Sequence, residues 1–367
     1  MKKEKIITVS EIVSHIHEIA HPSLALEWDN VGFQIGNGNQ EVKKILLSLD
    51  ITENAINKAI KENVDLIISH HPLIFKPIRK ITNPLYLKLI KNDIAVFCAH
   101  TNMDVIKKGV NSALAAKLEL QNVEFLTSES GASVYHVSVY VPSAQMVEVA
   151  NAVFAAGAGV IGNYTNCMND YEVSGQFMPK EGSNPILGSQ NKLEKVVERK
   201  LEFFVDSFKL SKVLAEMKKA HPYETPAYTV NSQEKPNENY GLGMIGELQQ
   251  EMSLTEFAKF VKTRLDAPIV KMWPATKGKN TSIKKVAACG GSGSSLISQV
   301  YGKADVFVSG EFGYHTILDS RIPLIEAGHF YTENPVLQNL KEMLQKFDLE
   351  IIELSVKEHE VSKVEIY

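Results

Sequence analysis

Ser69 to Phe75 reads SHHPLIF: two histidines directly after the apolar run Leu66 to Ile68, with Pro72 next. Successive side chains on a strand point to opposite faces, so His70 and His71 cannot both serve one site while the strand continues. A strand that ends at Ser69, with Pro72 forcing His71 toward an extended turn, lets two imidazoles reach one concave site from different directions. Each could then bind a different metal. The competing reading has His71 packed against the loop and His70 hydrogen-bonded to a carbonyl.

Comparable groups follow three other apolar runs. IAVFCA leads into His100, with Asp104 four residues later; DVFVS leads into Glu311, with His315 four later; IPLIEA leads into His329, with Glu333 four later. Open α/β sheets bind ligands beyond the carboxyl ends of their strands. A single histidine at a strand end is commonly structural, but here five of the eleven histidines and three carboxylates collect at one edge. Imidazole and carboxylate without thiolate suit zinc, iron(II) or manganese rather than a structural zinc knot. A carboxylate such as Asp104 could bridge ions about 3.5 to 4 Å apart, activating a water and stabilising charge that develops on a substrate.

The elements that must position these groups follow a β-α rhythm. Apolar residues at helical spacing predict an opening helix from Val9 to Ala20, capped by Ser10 or Thr8. Then come a strand (Lys43 to Asp50), a helix (Thr52 to Asn63), a strand (Asp65 to His70), a helix (Pro84 to Lys91), a strand (Ile94 to Ala99) and a helix (Lys107 to Leu118). This alternation predicts a parallel sheet with crossover helices.

Near residue 127 the rhythm changes. TSESGAS precedes the alternating run VYHVSVYVP, followed by a helix (Ala144 to Ala156), the link GAGVIGNY and strands around Tyr171 to Phe177 and Lys200 to Val205. A helix (Leu210 to Ala220) and a strand around Pro226 to Val230 complete the segment. That order predicts a ferredoxin-like, split βαβ unit, closed by a polar linker from Asn231 to Gly241. The last third returns to the first pattern. It has strands at Lys285 to Cys289, Asp305 to Ser309 and Pro323 to Glu326, and helices at Leu296 to Tyr301, Tyr314 to Ser320 and Pro335 to Phe347. The reading is a discontinuous α/β domain, arms 1–126 and 241–367, interrupted by an inserted α+β domain, 127–240.

CGGSGSS, Cys289 to Ser295, falls between a strand and a helix, where backbone amides could cradle an anion. A tight turn whose glycines permit close packing explains it equally well. The segment lacks both the Lys-Ser/Thr of a P-loop and the spacing of a dinucleotide fingerprint.

Composition narrows the function classes. Lys plus Arg total 39 against 43 acidic residues, a net charge of −4, so the basic excess that non-specific nucleic-acid binding requires is missing. The three cysteines, Cys98, Cys167 and Cys289, show no CxxC spacing and suit a reducing cytoplasm. No apolar run of about 18 residues and no apolar signal core is present, so no membrane association is expected.

EWDNVGFQIG (Glu27 to Gly36), SHHPLIF, AHTNMD (Ala99 to Asp104), SGEFGYH (Ser309 to His315) and EAGHFYTE (Glu326 to Glu333), in this order, closely resemble the GTP cyclohydrolase I type 2 family, also called the Ngg-interacting-factor-three-like family. The resemblance implies two divalent metals per chain, zinc or else iron or manganese, held by His70, His71, Asp104, His329 and Glu333. It places His100, Glu311 and His315 nearby for proton transfer, and implies a toroidal homohexamer. GAGVIGNYTNC and AHPYETPAY make the inserted segment similar to PII and CutA-type proteins. His221 there, with Glu224 as its nearest candidate partner, is too sparsely supported to define a metal site.

The activity implied is hydrolytic opening of the guanine imidazole ring of GTP with release of formate. A phosphoesterase using the same metals is the close variant. The alternative from another class is a non-catalytic, ring-shaped metal-binding or regulatory protein whose inserted domain senses a ligand or gates the cavity.

Overall fold

The computed structural model describes residues 6–128, 133–233, 237–276 and 278–363. They form two compact units, one from the residues up to Ser128 and from Tyr240 onward, the other from the segment between.

The first unit holds two sheets. In one, Lys44–Ser48, Leu66–Ser69 and Ala95–Cys98 run parallel, and almost every residue in them is buried. Such near-continuous apolar strands are what a sheet covered on both faces requires. Glu350–Glu353 adds in parallel beside Lys44–Ser48, and Gly32–Ile35 closes the opposite edge antiparallel to Ala95–Cys98. Neither edge strand was expected from the sequence, because each is four residues long and only partly buried.

Helices pack on this sheet through short apolar stripes. Val9–Ile19 starts at a reciprocal capping box between Thr8 and Glu11, which settles the choice of cap, and buries Ile12 and Ile16. Thr52 caps Glu53–Lys61, and Asn83 caps Pro84–Lys91, whose proline occupies the first helical position. Ile56, Leu46, Ile67 and Val96 share one core cluster; burying each such side chain contributes roughly 1.5–3 kcal/mol.

The second sheet has the order Lys271–Trp273, Leu324–Glu326, Val306–Glu311, Ser282–Ser292, Leu242–Ser253, Gln121–Thr127. Its central pairs are parallel, and the Leu242–Ser253 and Gln121–Thr127 strands are antiparallel to their neighbours. The strand expected at Lys285 to Cys289 is therefore longer at both ends. Leu254–Arg264, a helix that the sequence reading did not place, begins at a Ser253–Glu256 capping box.

The second unit runs Val134–Pro142, helix Met146–Ala155, Asn169–Phe177, Glu194–Asp206, helix Leu210–Ala220, Tyr228–Ser232. Its four strands are all antiparallel, with the two chain-central strands on one side and the first and last on the other. This is the expected ferredoxin-like arrangement. Val137, Val139, Leu201 and Phe203 pack against Val149, Val153, Val213 and Met217 of the helices. The expected linker begins later than read, since Asn231 and Ser232 belong to the last strand. Parts of TSESGAS (129–132) and of that linker (234–236) lie outside the described residues.

Candidate metal centre

Strand register puts the chemistry at one level. Ser48 pairs with Ser69 and Ser69 with Cys98, so three buried strands of the first sheet end together. Asp50, His70, His71 and His100 are the next groups to emerge. In the second sheet Cys289 pairs with Ser309 and Ser309 with Glu326, and Glu311 and His329 follow. His329–Glu333 is a short helix, so its first and last residues, four apart, share a face.

The two sheets' contributions meet. His71 Nε2 and His329 Nε2 each lie 3.0 Å from Glu333 Oε2. His70 is fully buried, and its Nδ1 lies 2.9 Å from the carbonyl of Ala99. Its Nε2 faces Asp104 Oδ1 at 3.6 Å, and both atoms are buried without a hydrogen-bond partner. The His100 ring stands 5.2 Å from that of His70 and 5.4 Å from that of His71. Two groups, His70–His71–His100 and His71–His329–Glu333, could each hold a metal ion.

Each histidine is held through Nδ1. Asp50 Oδ1 takes His71 at 2.7 Å, Asp29 Oδ1 takes His100 at 2.9 Å and Glu311 Oε1 takes His329 at 3.0 Å, while the Ala99 carbonyl takes His70. Carboxylate or carbonyl partners of this kind fix tautomer and ring orientation in metal-binding histidines. His359 Nε2 lies 3.2 Å from Asp50 Oδ2 and Thr101 N–H donates to Asp29 at 3.0 Å, so the holding carboxylates are themselves held.

Protonation follows from burial and charge. Burial lowers His70 to about 4, leaving a neutral ring whose Nε2 carries a lone pair. Burial, followed by the negative charge of Glu333, pushes Asp104 well above the usual carboxylate range. At His71 burial is outweighed by hydrogen bonds to Asp50 and Glu333, which raise it to about 10; the Glu333 hydrogen bond is the main cause raising His329 to about 9. Burial would raise Glu333 and Asp50, yet their histidine partners hold both well below the ordinary range. Asp29 is likewise brought to about 2 against its burial by His100 and Thr101.

This donor set fits a divalent cation. A bare imidazole nitrogen and, once the acid is ionised, a carboxylate oxygen face each other across a buried gap, and a divalent cation satisfies both acceptors.

The other sequence expectations divide. SHHPLIF behaves as the ending-strand reading required, since the strand stops at Ser69. The competing reading was half right: His70 does bond a carbonyl, through the nitrogen that leaves Nε2 free. His315 is exposed, with its ring against Tyr314, and belongs to neither group.

CGGSGSS is not an open anion cradle. Its first residues continue the strand, and the amides of Gly290, Gly291 and Gly293 donate to Asn111 Oδ1, Thr332 Oγ1 and the Glu311 carbonyl. The glycines give clearance instead. Gly291 has φ +62°, and a Cβ there would collide with Glu333 Oε1 and stand 3.2 Å from His329 Nε2. In the inserted unit His221 spends both ring nitrogens on backbone, 2.8 Å from the Tyr140 carbonyl and 3.0 Å from Tyr223 N–H.

Asp29, Asp50 and His359 were missed. Asp50 had a signal, because it follows a buried strand just as His70 does.

The whole chain can be compared with known proteins. A family model described as Duf34/NIF3 (NGG1p interacting factor 3) matches residues 7–361. A Halalkalibacterium halodurans protein named "GTP cyclohydrolase 1 type 2 homolog" is 38% identical over 367 residues, covering 96% of this chain and 98% of the relative. A Bacillus subtilis protein of the same name is 37% identical over 335 residues, 89% of each chain. Among solved structures, a Bacillus cereus protein related to NIF3 superposes with a TM-score of 0.83 at 37% identity, covering 95% of this chain and 97% of that one. With its two-sheet unit, its ferredoxin-like insertion and the histidine and carboxylate groups at the strand ends, this chain belongs to the Duf34/NIF3 family.

Proposed function

We propose that His70, His71, Asp104, His329 and Glu333 hold two divalent ions, zinc in the first instance with iron or manganese as chemical equivalents. The chain is then a metal-dependent hydrolase of a nucleotide or related small molecule. The observation that carries this reading is the buried, unpartnered pair of His70 Nε2 and Asp104 Oδ1 beside a carboxylate shared by two imidazoles. Bound ions of this kind supply an activated water near neutral pH and stabilise negative charge on the substrate.

The chain's own residues do the rest. His100 would move the proton in this reading, supported by its hold on Asp29 and its edge-on contact with His70 and His71. Glu311 holds the Nδ1 proton of His329 and so acts as a positioning residue. Nothing in the position of His315 supports a proton-transfer role.

The name carried by the relatives suggests GTP, with opening of the guanine imidazole ring and release of formate. The test is metal-loaded protein with GTP, assayed for formate and for phosphate, beside Asp104→Ala. Formate released by the parent and lost in the variant supports the cyclohydrolase reading. Phosphate alone moves the assignment to a phosphoesterase. Neither product sinks both and leaves the non-catalytic metal-binding reading.

The proposal extends to self-association. Trp28, Phe75, Ile78 and Ile81 are 57%, 47%, 43% and 55% exposed, and exposed apolar side chains of this size support burial against further copies in a hexameric ring. Three unpaired cysteines support a reducing, cytoplasmic setting. Among the described residues no helix is long and apolar enough to cross a membrane.

A further inference from the structure

The ferredoxin-like unit contains a cavity of about 420 Å³ that plays no part in the metal chemistry. On strand Glu194–Asp206, Leu201, Phe203 and Val205 face the helices, so Glu198 points out of the opposite face. That face is roofed by the excursion between Phe177 and Glu194. Asn184 N–H of the excursion donates to the Glu224 carboxylate at 3.3 and 3.4 Å, which gives Glu224 a role as fastener rather than ligand.

Glu198 lies in the cavity wall and is 8% exposed. Among the described residues no lysine or arginine pairs with it: Lys200 is engaged by Glu202 at 2.7 Å, and Arg199 is engaged by Asp170. His221 cannot supply the charge, because one ring nitrogen must donate to the Tyr140 carbonyl and the other must accept from Tyr223 N–H, the neutral tautomer. The Tyr223 hydroxyl is buried with Glu198 as its hydrogen-bonding neighbour, and its oxygen keeps a lone pair for a further donor. At Gly175 a Cβ would stand 2.5 Å from Glu198 Oε2, so the missing side chain is what leaves the carboxylate its place in the wall.

A buried carboxylate without a counter-charge is costly, and proteins retain one where a ligand completes it. Tyr140, Phe177 and Tyr223 line the same space, and the last two rings have centroids 6.3 Å apart. Aromatic faces favour a cation with an apolar body. The wall holds two carboxylates, Glu198 and Glu224, and Glu224 is taken up by Asn184 N–H, which leaves fewer than the three or four donors that a metal ion needs. The volume suits a small molecule.

We propose that this cavity binds a small organic cation, an amine or amidine on an apolar or aromatic body. Glu198 and the Tyr223 hydroxyl accept its N–H groups, and Tyr140 and Phe177 pack against the body. The experiment titrates the full chain with benzamidine by ligand-observed NMR, with benzoate and benzyl alcohol as size-matched controls. Saturable benzamidine binding is expected, weakened about tenfold or more in Glu198→Gln, with no saturable binding of benzoate. The melting temperature of the ligand-free Glu198→Gln chain should stay level or rise, because a buried charge has been removed. Gly175→Ala, which crowds the carboxylate, gives the same loss of binding by a second route. Absence of saturable benzamidine binding, equal binding of benzoate, or affinity unchanged in both variants overturns the proposal. No turnover is measured, so the outcome is independent of the hydrolase assignment.

Discussion

His70 Nε2 and Asp104 Oδ1 lie 3.6 Å apart, both buried and neither hydrogen-bonded. Their partners on the far side are fixed: Ala99 holds the imidazole by its other nitrogen, and Asn111 holds the Asp104 backbone carbonyl at 2.8 Å. The gap is built by the fold and does not depend on mobile side chains. His71 from the first arm and His329 and Glu333 from the second meet beside it, so both arms contribute to one site.

Asp104→Asn should act with opposite signs in two states. In metal-stripped protein it removes a buried carboxylate that burial and Glu333 already disfavour, and stability stays level or rises. In metal-loaded protein it removes a donor, and stability falls by up to about 4 kcal/mol if metal stands near a thousand times its Kd. Thermal melts with and without chelator check this.

The pH dependence of the metal-stripped chain has a defined sign. His71 and His329 are raised above the ordinary histidine value of 6.5, to about 10 and about 9. Their contribution to stability is therefore complete below about pH 6.5 and is lost as pH rises through 9 and 10. Glu333 is depressed, so its contribution holds above its ordinary value and fades in acid. Melting temperature should fall on the alkaline side. Metal uptake at pH 7.5 should release roughly two to three protons per chain, read by calorimetry in buffers of differing ionisation enthalpy.

Gly291→Ala should lose metal while the chain stays folded. The new Cβ meets the Glu333 carboxylate and strains a backbone at φ +62°. Asp50→Asn, which weakens the hold on His71 and the contact with His359, should lower metal affinity by about 10- to 100-fold. Metal competition with a coloured chelator ranks the two.

His221→Ala should leave metal content unchanged. Both its ring nitrogens serve the backbone of the inserted unit, so the loss should appear as destabilisation of about 1–3 kcal/mol from the unpaired groups. Denaturant unfolding and metal analysis separate the two effects.

The candidate ligands could be read from the sequence because β-α alternation fixes where strands end, and His70, His71, His100 and His329 each follow a buried run. The same rule reached Asp104 and Glu333 through a helical spacing of four. It overreached at His315, whose partner Glu311 ends a strand while His315 begins the next helix, so the two share no face. Asp29 and His359 were hidden because they act across long separations, 71 residues in the case of Asp29 and His100. The glycines after Cys289 were ambiguous by composition, since clearance for a neighbouring carboxylate and an anion cradle ask for the same residue. The edge strands were too short and too mixed in burial to carry a period.

Metal analysis decides whether one site holds two divalent ions. The chain is purified anaerobically and its metal content is measured beside His70→Ala and Glu333→Ala, with circular dichroism confirming that all three are folded. About two ions per parent chain, with marked loss in both variants, is the predicted result. A folded parent chain without bound metal, and without uptake of added zinc, iron or manganese, would contradict the account.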